Sequence, residues 1–250
     1  MNDSENAGAD GATASSSSHD SETHAVKEVS QLGTRARRTR AALIDAAREV
    51  FEADGLKEAR VADITSRAGV AYGSFYNYFT SKEEVFREVV REVTGEMFTQ
   101  TVARGLDGAD AISRIREANT RYLRSYARNA RIMALIEEVA PYDDYCAELL
   151  AAIRSMFNQR NEAGIRRLQA RGLVRTDGLD AHIAAVALGG MIEHYARVSF
   201  IMGEPYEEGG VIETLTTLWA QALGLRMEQT TDPRPAHEAS GGEGTVVARS

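Results

Sequence analysis

Tyr72, Ser74, Tyr76, Asn77 and Tyr78 fall within one seven-residue stretch, with Gly73 among them and Lys82 four residues further on. These groups are neutral hydrogen-bond donors and acceptors flanked by a cation. They contain no nucleophile–base pair and no ligand set for a metal. Their chemistry is recognition, since hydroxyls and amides suit phosphate oxygens and base edges, and a lysine at a helix start suits a phosphate.

The surrounding residues 61–82 read VADITSRAGVAYGSFYNYFTSK, a short helix, a turn, a second short helix and the start of a third. Val61, Ile64 and Ala68 recur at helical spacing and give the first helix one apolar face. Gly69 supplies the positive φ that a tight interhelical turn needs, and Val70 plugs the corner. Phe75 and Phe79, four apart, turn the apolar side of the second helix inward, leaving Tyr72, Gly73, Ser74, Tyr76 and Asn77 toward open or flanking faces. Ser81 and Glu84 form a capping box that opens the third helix. The pattern is that of a helix-turn-helix, whose second helix lies in a DNA major groove.

The spacing Ile64, Ala68-Gly69-Val70, Gly73, Phe75-Tyr76, Tyr78-Phe79, Lys82 resembles the N-terminal domain of the TetR family of transcriptional regulators over about residues 36–90. The resemblance implies a supporting helix over residues 60–68 and a recognition helix over residues 71–78. It places Tyr76, Tyr78 and Lys82 at phosphates, and Tyr72, Gly73, Ser74 and Asn77 at bases. Two positions depart from the family pattern. Ala59-Arg60 stands where two threonines are usual, and Ala71 where a serine or threonine is usual, so two capping hydroxyls are missing. Arg60 is expected to offer a phosphate contact instead.

The net charge of −8 argues against a polyanionic partner only until its distribution is read. Residues 1–34 carry Asp3, Glu5, Asp10, Asp20, Glu22 and Glu28 against Lys27, and then Arg35, Arg37, Arg38 and Arg40 follow within six residues. Local charge governs phosphate attraction, so Arg37 and Arg38 join the expected DNA-binding set. The single cysteine, Cys146, excludes an intrachain disulfide framework and a Cys-based zinc site, and a reducing cytoplasm is expected. No apolar run approaches the ~20 residues of a membrane span. The sequence carries no serine-nucleophile, phosphate-loop, zinc-protease or dinucleotide signature, so no enzyme, cofactor or metal is expected.

The whole chain reads as all-α, with about nine helices. Residues 1–33 and 228–250 are too polar to bury a core and are expected to be disordered tails. Residues 34–82 form the expected DNA-binding domain and residues 83–227 a helical effector-binding and dimerisation domain. Helices are expected at about residues 37–54, closed by Gly55, and 109–129, 131–139, 145–171, 180–202 and 210–223. By the resemblance, the last two pair with their symmetry mates in a homodimer. Ile183, Val186, Gly190, Leu215, Leu218 and Trp219 are the candidate dimerisation residues. Tyr122, Tyr126, Met133, Ile136, Met156 and Phe157 are candidate walls of an effector pocket, with Arg160, Glu193 and His194 able to orient a polar end. The partners expected are a double-stranded palindromic operator, a second copy of the chain and a small apolar or amphipathic effector whose entry releases a repressor. The alternative is a helical protein–protein interaction module on the same fold without sequence-specific DNA binding.

Overall fold

The computed structural model describes residues 33–101 and 110–225, so the two expected tails lie outside the described residues apart from Gly33. Nine helical segments and no strand occur among the described residues. The first is α1 (Thr34–Glu58), which is longer than the periodicity predicts. It begins three residues earlier and takes the arginine run into its own first turns. Gly55 adopts φ +77° as expected of a helix terminator, yet one further turn resumes beyond it, so α1 is kinked rather than ended there.

The turn between α2 (Val61–Arg67) and α3 (Tyr72–Asn77) centres on Gly69 at φ +68°, as its position predicts. Ile64, Phe75 and Phe79 are buried beneath it, and Val70 packs against the same core. The expected recognition helix differs in its winding. Tyr72–Asn77 is a single stretch of 3₁₀ helix, opened by a bond from Ser74 N–H to the Ala71 carbonyl. Its shortness, the weak helix preference of Gly73 and the absence of a capping side chain at Ala71 account for the tighter form.

Next comes α4 (Lys82–Gln100), opened by Ser81, whose Oγ accepts from the Glu84 N–H at 3.2 Å. Glu84 reaches back one residue further than a capping box predicts, accepting from the backbone N–H and hydroxyl of Thr80 at 2.5 and 2.6 Å. The N-terminal half of α4 completes the core of the head. Val85, Phe86, Val89 and Val90 are buried with Leu43, Ala47, Val50 and Phe51 of α1, and Phe86 meets Phe51 edge-to-face at 5.3 Å. Head and body therefore share one helix, and the packing does not divide at residue 82.

The body comprises α5 (Ala111–Arg128), α6 (Ala130–Val139), α7 (Asp144–Ala170), α8 (Ala181–Phe200) and α9 (Glu208–Leu223). Acidic side chains cap four of these five helices: Asp110, Asp143, Asp180 and Glu207 each accept from first-turn N–H groups. Such caps stabilise a helix by about 1 kcal/mol apiece. Helix α7 packs along α8 and α5 along α9, while α4 and α6 bridge to the head. The bridge is polar at its edges: Arg48 donates to Asn129 Oδ1 at 2.8 Å, Arg131 to the Glu52 carbonyl at 3.1 Å, and Arg87 to Asp143 at 2.5 Å.

Because Phe86 is 1% exposed at the α1–α4 contact, Phe86→Ala is expected to lower the unfolding free energy by about 3–5 kcal/mol, measured by urea denaturation.

Candidate functional site

The first candidate surface is built on α2 and α3. Tyr72 and Tyr76 are each about half exposed, and their hydroxyls share a hydrogen bond at 3.1 Å. That bond pushes the Tyr76 hydroxyl further up in pKa, so it stays protonated and able to donate. Asn77 and Gly73 lie on the same exposed segment, and a Cβ added at Gly73 would meet nothing within 4 Å. Ser74 is half-buried. Tyr78 is half-buried against the core, which leaves it less open than Tyr72 and Tyr76.

Arg37, Arg38 and Arg60 are exposed on the same head, the first two in the opening turns of α1 and the last at the N-cap of α2. Arg60 and Ala71 occupy the N-cap positions of α2 and α3 without capping bonds, as their side chains dictate. Arg40, from the same basic run, is turned inward: it pairs with Glu88 at 2.7 Å and lies over the Phe79 ring at 5.1 Å. Lys82 has a role its position in the sequence did not suggest. Its Nζ donates to the carbonyls of Lys57 at 2.7 Å and Ala59 at 3.1 Å, placing a cation at the C-terminal end of α1. Two of the three ammonium donors are used there, and one remains for an outside acceptor.

The second candidate site is a cavity of about 1530 Å³ in the body. Tyr122, Met133, Phe157, Arg160 and Glu193 line it, as expected. Four other predicted lining residues do not. Ile136 and Tyr126 are fully buried in the core, and Tyr126 packs between the rings of Tyr122 and Phe200. Met156 is 42% exposed, because it points away from the face of α7 that carries Phe157. His194 is exposed on α8 and borders a separate, smaller recess with Arg154 and Arg197.

Sequence reasoning missed several walls. Thr94, Met97 and Thr101 of the α4 end, Arg154 of α7, and residues 171–175 after it all border the cavity. The signal for α4 was its apolar stripe, which runs past what the head can cover. Burial pushes the Tyr122 hydroxyl far up in pKa, so it enters the cavity as a neutral group.

The third surface is the outer face of α8 and α9. Ile183 and Val186 are exposed on α8, Gly190 lies on the same stripe, and Leu218 is exposed on α9. Leu215 and Trp219 belong elsewhere. Both are buried within the subunit, where α9 packs on α5, and Trp219 lines the cavity. The single apolar stripe read on α9 is two faces, one inward and one outward.

Among the described residues no cluster of His, Cys, Asp and Glu side chains could hold a metal ion, and no helix is long and apolar enough to cross a membrane. Cys146 is buried beside Asp143, and burial pushes its thiol up to about 12, which leaves it unreactive.

Residues 43–89 match the family model described as bacterial regulatory proteins, tetR family, which spans the end-to-end packing of α1 with α4. The transcriptional repressor KstR2 of Rhodococcus jostii is 26% identical over 209 residues, covering 80% of this chain and 94% of that protein. Two solved structures share the fold over both head and body. A TetR-family regulator from Syntrophomonas wolfei superposes with a TM-score of 0.60 at 15% identity, covering 75% of this chain and 96% of the other. A transcriptional regulator from Saccharomonospora viridis in complex with choline gives 0.59 at 19%, covering 74% and 95%. With its three-helix head, its glycine turn and a helical body around a cavity, the chain carries the regulatory domain of the bacterial tetR family at residues 43–89 and is similar along head and body to TetR-family transcriptional regulators.

Proposed function

We propose that the chain is a homodimeric repressor that grips a palindromic operator and releases it when an apolar or amphipathic small molecule fills the body cavity. The observation that carries this reading is α4. Its first half is part of the head core, and its second half, through Thr94 and Met97, is a wall of the cavity. A ligand that displaces the Met97 end of α4 shifts the same helix that carries Phe86 and Val89 into the head core. It acts only through its differential affinity for the two arrangements, by favouring one spacing of the paired heads over another.

The choline complex of the Saccharomonospora neighbour supports reading the cavity as an effector chamber, and the name of the Rhodococcus relative supports repression. The outward apolar stripe of Ile183, Val186 and Leu218 supports a two-fold partner of the same chain, as symmetric half-sites require. On the head, Tyr72, Gly73, Ser74 and Asn77 face the bases, while Arg37, Arg38, Arg60, Tyr76 and the remaining donor of Lys82 meet phosphates.

Operator selection from a random duplex pool with the full-length protein, followed by footprinting, tests the reading. An inverted repeat is expected, and recovery of no preferred sequence would reject it. Arg60→Ala should weaken binding to all duplexes alike and reduce the salt slope by about one unit. Lys82→Ala should do the same and also cost about 1 kcal/mol of stability, because the α1 carbonyls lose their cation. Val186→Asp should leave the subunit folded but shift sedimentation from dimer to monomer, with operator affinity falling in parallel.

A further inference from the structure

Arg160 is a guanidinium placed where the protein supplies it no anion. It projects from α7 into the cavity wall between two rings, 4.8 Å from the Phe157 centroid and 5.1 Å from that of Phe98. Its Nη1 donates to Thr101 Oγ1 at 3.0 Å and to the Phe98 carbonyl at 3.5 Å, both neutral acceptors. No carboxylate pairs with it among the described residues. Burial alone acts on the group, pushing its pKa down. Removing a charge from water without a counter-charge is costly, and an arginine keeps its proton.

The other charges around the cavity deepen the imbalance. Six arginines border it against two carboxylates, in a chain whose net charge is −8. Both carboxylates are already engaged. Glu193 pairs with Arg154 at 2.6 Å, and Asp110 caps α5 through the N–H groups of Ile112 and Ser113. Arg167, Arg171 and Arg175 stand exposed at the far end of the same cavity, with no ion pair among the described residues.

Most of the wall surface around Arg160 is apolar, with Asn119, Asn158 and Asn161 as neutral polar members. Cavity-lining positions on α7 run from Leu150 to Ala170, about 30 Å of helix. Met97, Phe157, Ile165 and Trp219 present apolar surface along it. An uncharged ligand would fill this space but leave Arg160 unpaired, and a cation would be repelled.

We infer that the effector is an anion with a long apolar chain, and that Arg160 is the residue that receives its negative group. This rests on reading the cavity as the effector chamber. The shared chemistry is an apolar chain with an anionic end, and it has two sources. One is a free carboxylic acid seated on Arg160. The other is a phosphate-bearing conjugate of the same acid that also reaches Arg167, Arg171 and Arg175.

Trp219 is the only tryptophan in the chain and borders the cavity, so its fluorescence reports occupancy in the full-length dimer. The probes are dodecanoate, dodecanol, the dodecanoyl thioester of coenzyme A, and choline. Dodecanoate or its thioester should bind at least about tenfold more tightly than dodecanol, the scale of one charge-assisted hydrogen bond, and choline should not bind. Arg160→Gln should abolish the preference for the anion by lowering dodecanoate affinity to that of dodecanol, and Arg160→Lys should restore part of it. A merely structural role would lower all affinities together.

Tighter binding of the thioester, lost in an Arg167→Gln/Arg171→Gln/Arg175→Gln triple variant, would identify the conjugate as the source. Equal affinity for it and dodecanoate would identify the free acid. Equal affinities for dodecanoate, its thioester and dodecanol, a preference unchanged in Arg160→Gln, or no response to any probe would overturn the inference. DNA release is read separately on the selected operator. Anion binding that leaves the DNA complex intact sinks the release mechanism and spares the assignment of Arg160.

Discussion

Seven residues of α4, from Val85 to Met97, are withdrawn from water, and no single part of the molecule covers them all. Helix α1 takes Val85, Phe86, Val89 and Val90, while the body takes Met97 and Thr94. Each buried aliphatic or aromatic side chain contributes about 1.5–3 kcal/mol. Neither contact can therefore be given up cheaply. The helix is about 28 Å long and stays helical through Gly95, so its two halves form one continuous rod. Head and body are thereby constrained to adjust together, with Arg87 to Asp143 and Arg48 to Asn129 tying the flanks of the joint.

Charge is arranged by place rather than by total. The acidic surplus is spent on caps and surface ion pairs, such as Asp143 at the start of α7 and Glu88 between Arg40 and Arg91. Among the described residues, arginines without an ion pair gather in two places, at the head with Arg38 and Arg60 and around the body cavity with Arg160, Arg167, Arg171 and Arg175. An acidic protein can thus present two basic surfaces without contradiction, since fields of exposed charges are screened within about 8–10 Å.

The head was legible in the sequence because its signals are local. A glycine turn, paired phenylalanines and a capping serine act over a few residues, and Gly69, Phe75, Phe79 and Ser81 occupy the expected geometry. The winding of α3 was less legible, since a missing cap and one glycine shift a short helix to 3₁₀ only in context. The function of Lys82 was hidden for another reason: its acceptors, Lys57 and Ala59, lie some two dozen residues earlier. In the body α7, α8 and α9 carry apolar residues on more than one side, so their periodicity marks burial without saying against what. Met156 and Phe157 are neighbours in sequence and opposites in space. Leu215 and Leu218 share a helix stripe on paper, yet one faces α5 and the other faces out.

The hydroxyl pair of Tyr72 and Tyr76 has a consequence for proton bookkeeping on the open face of the head. Two phenols carry two protons, and one of these is already committed between the two oxygens. An approaching acceptor therefore meets a single O–H from the pair, with lone pairs beside it. Either ring can give up the free proton, because reversing the shared bond exchanges their roles. The two tyrosines thus behave as one amphoteric unit, able to satisfy an acceptor or a donor at nearly the same point in space without moving either ring.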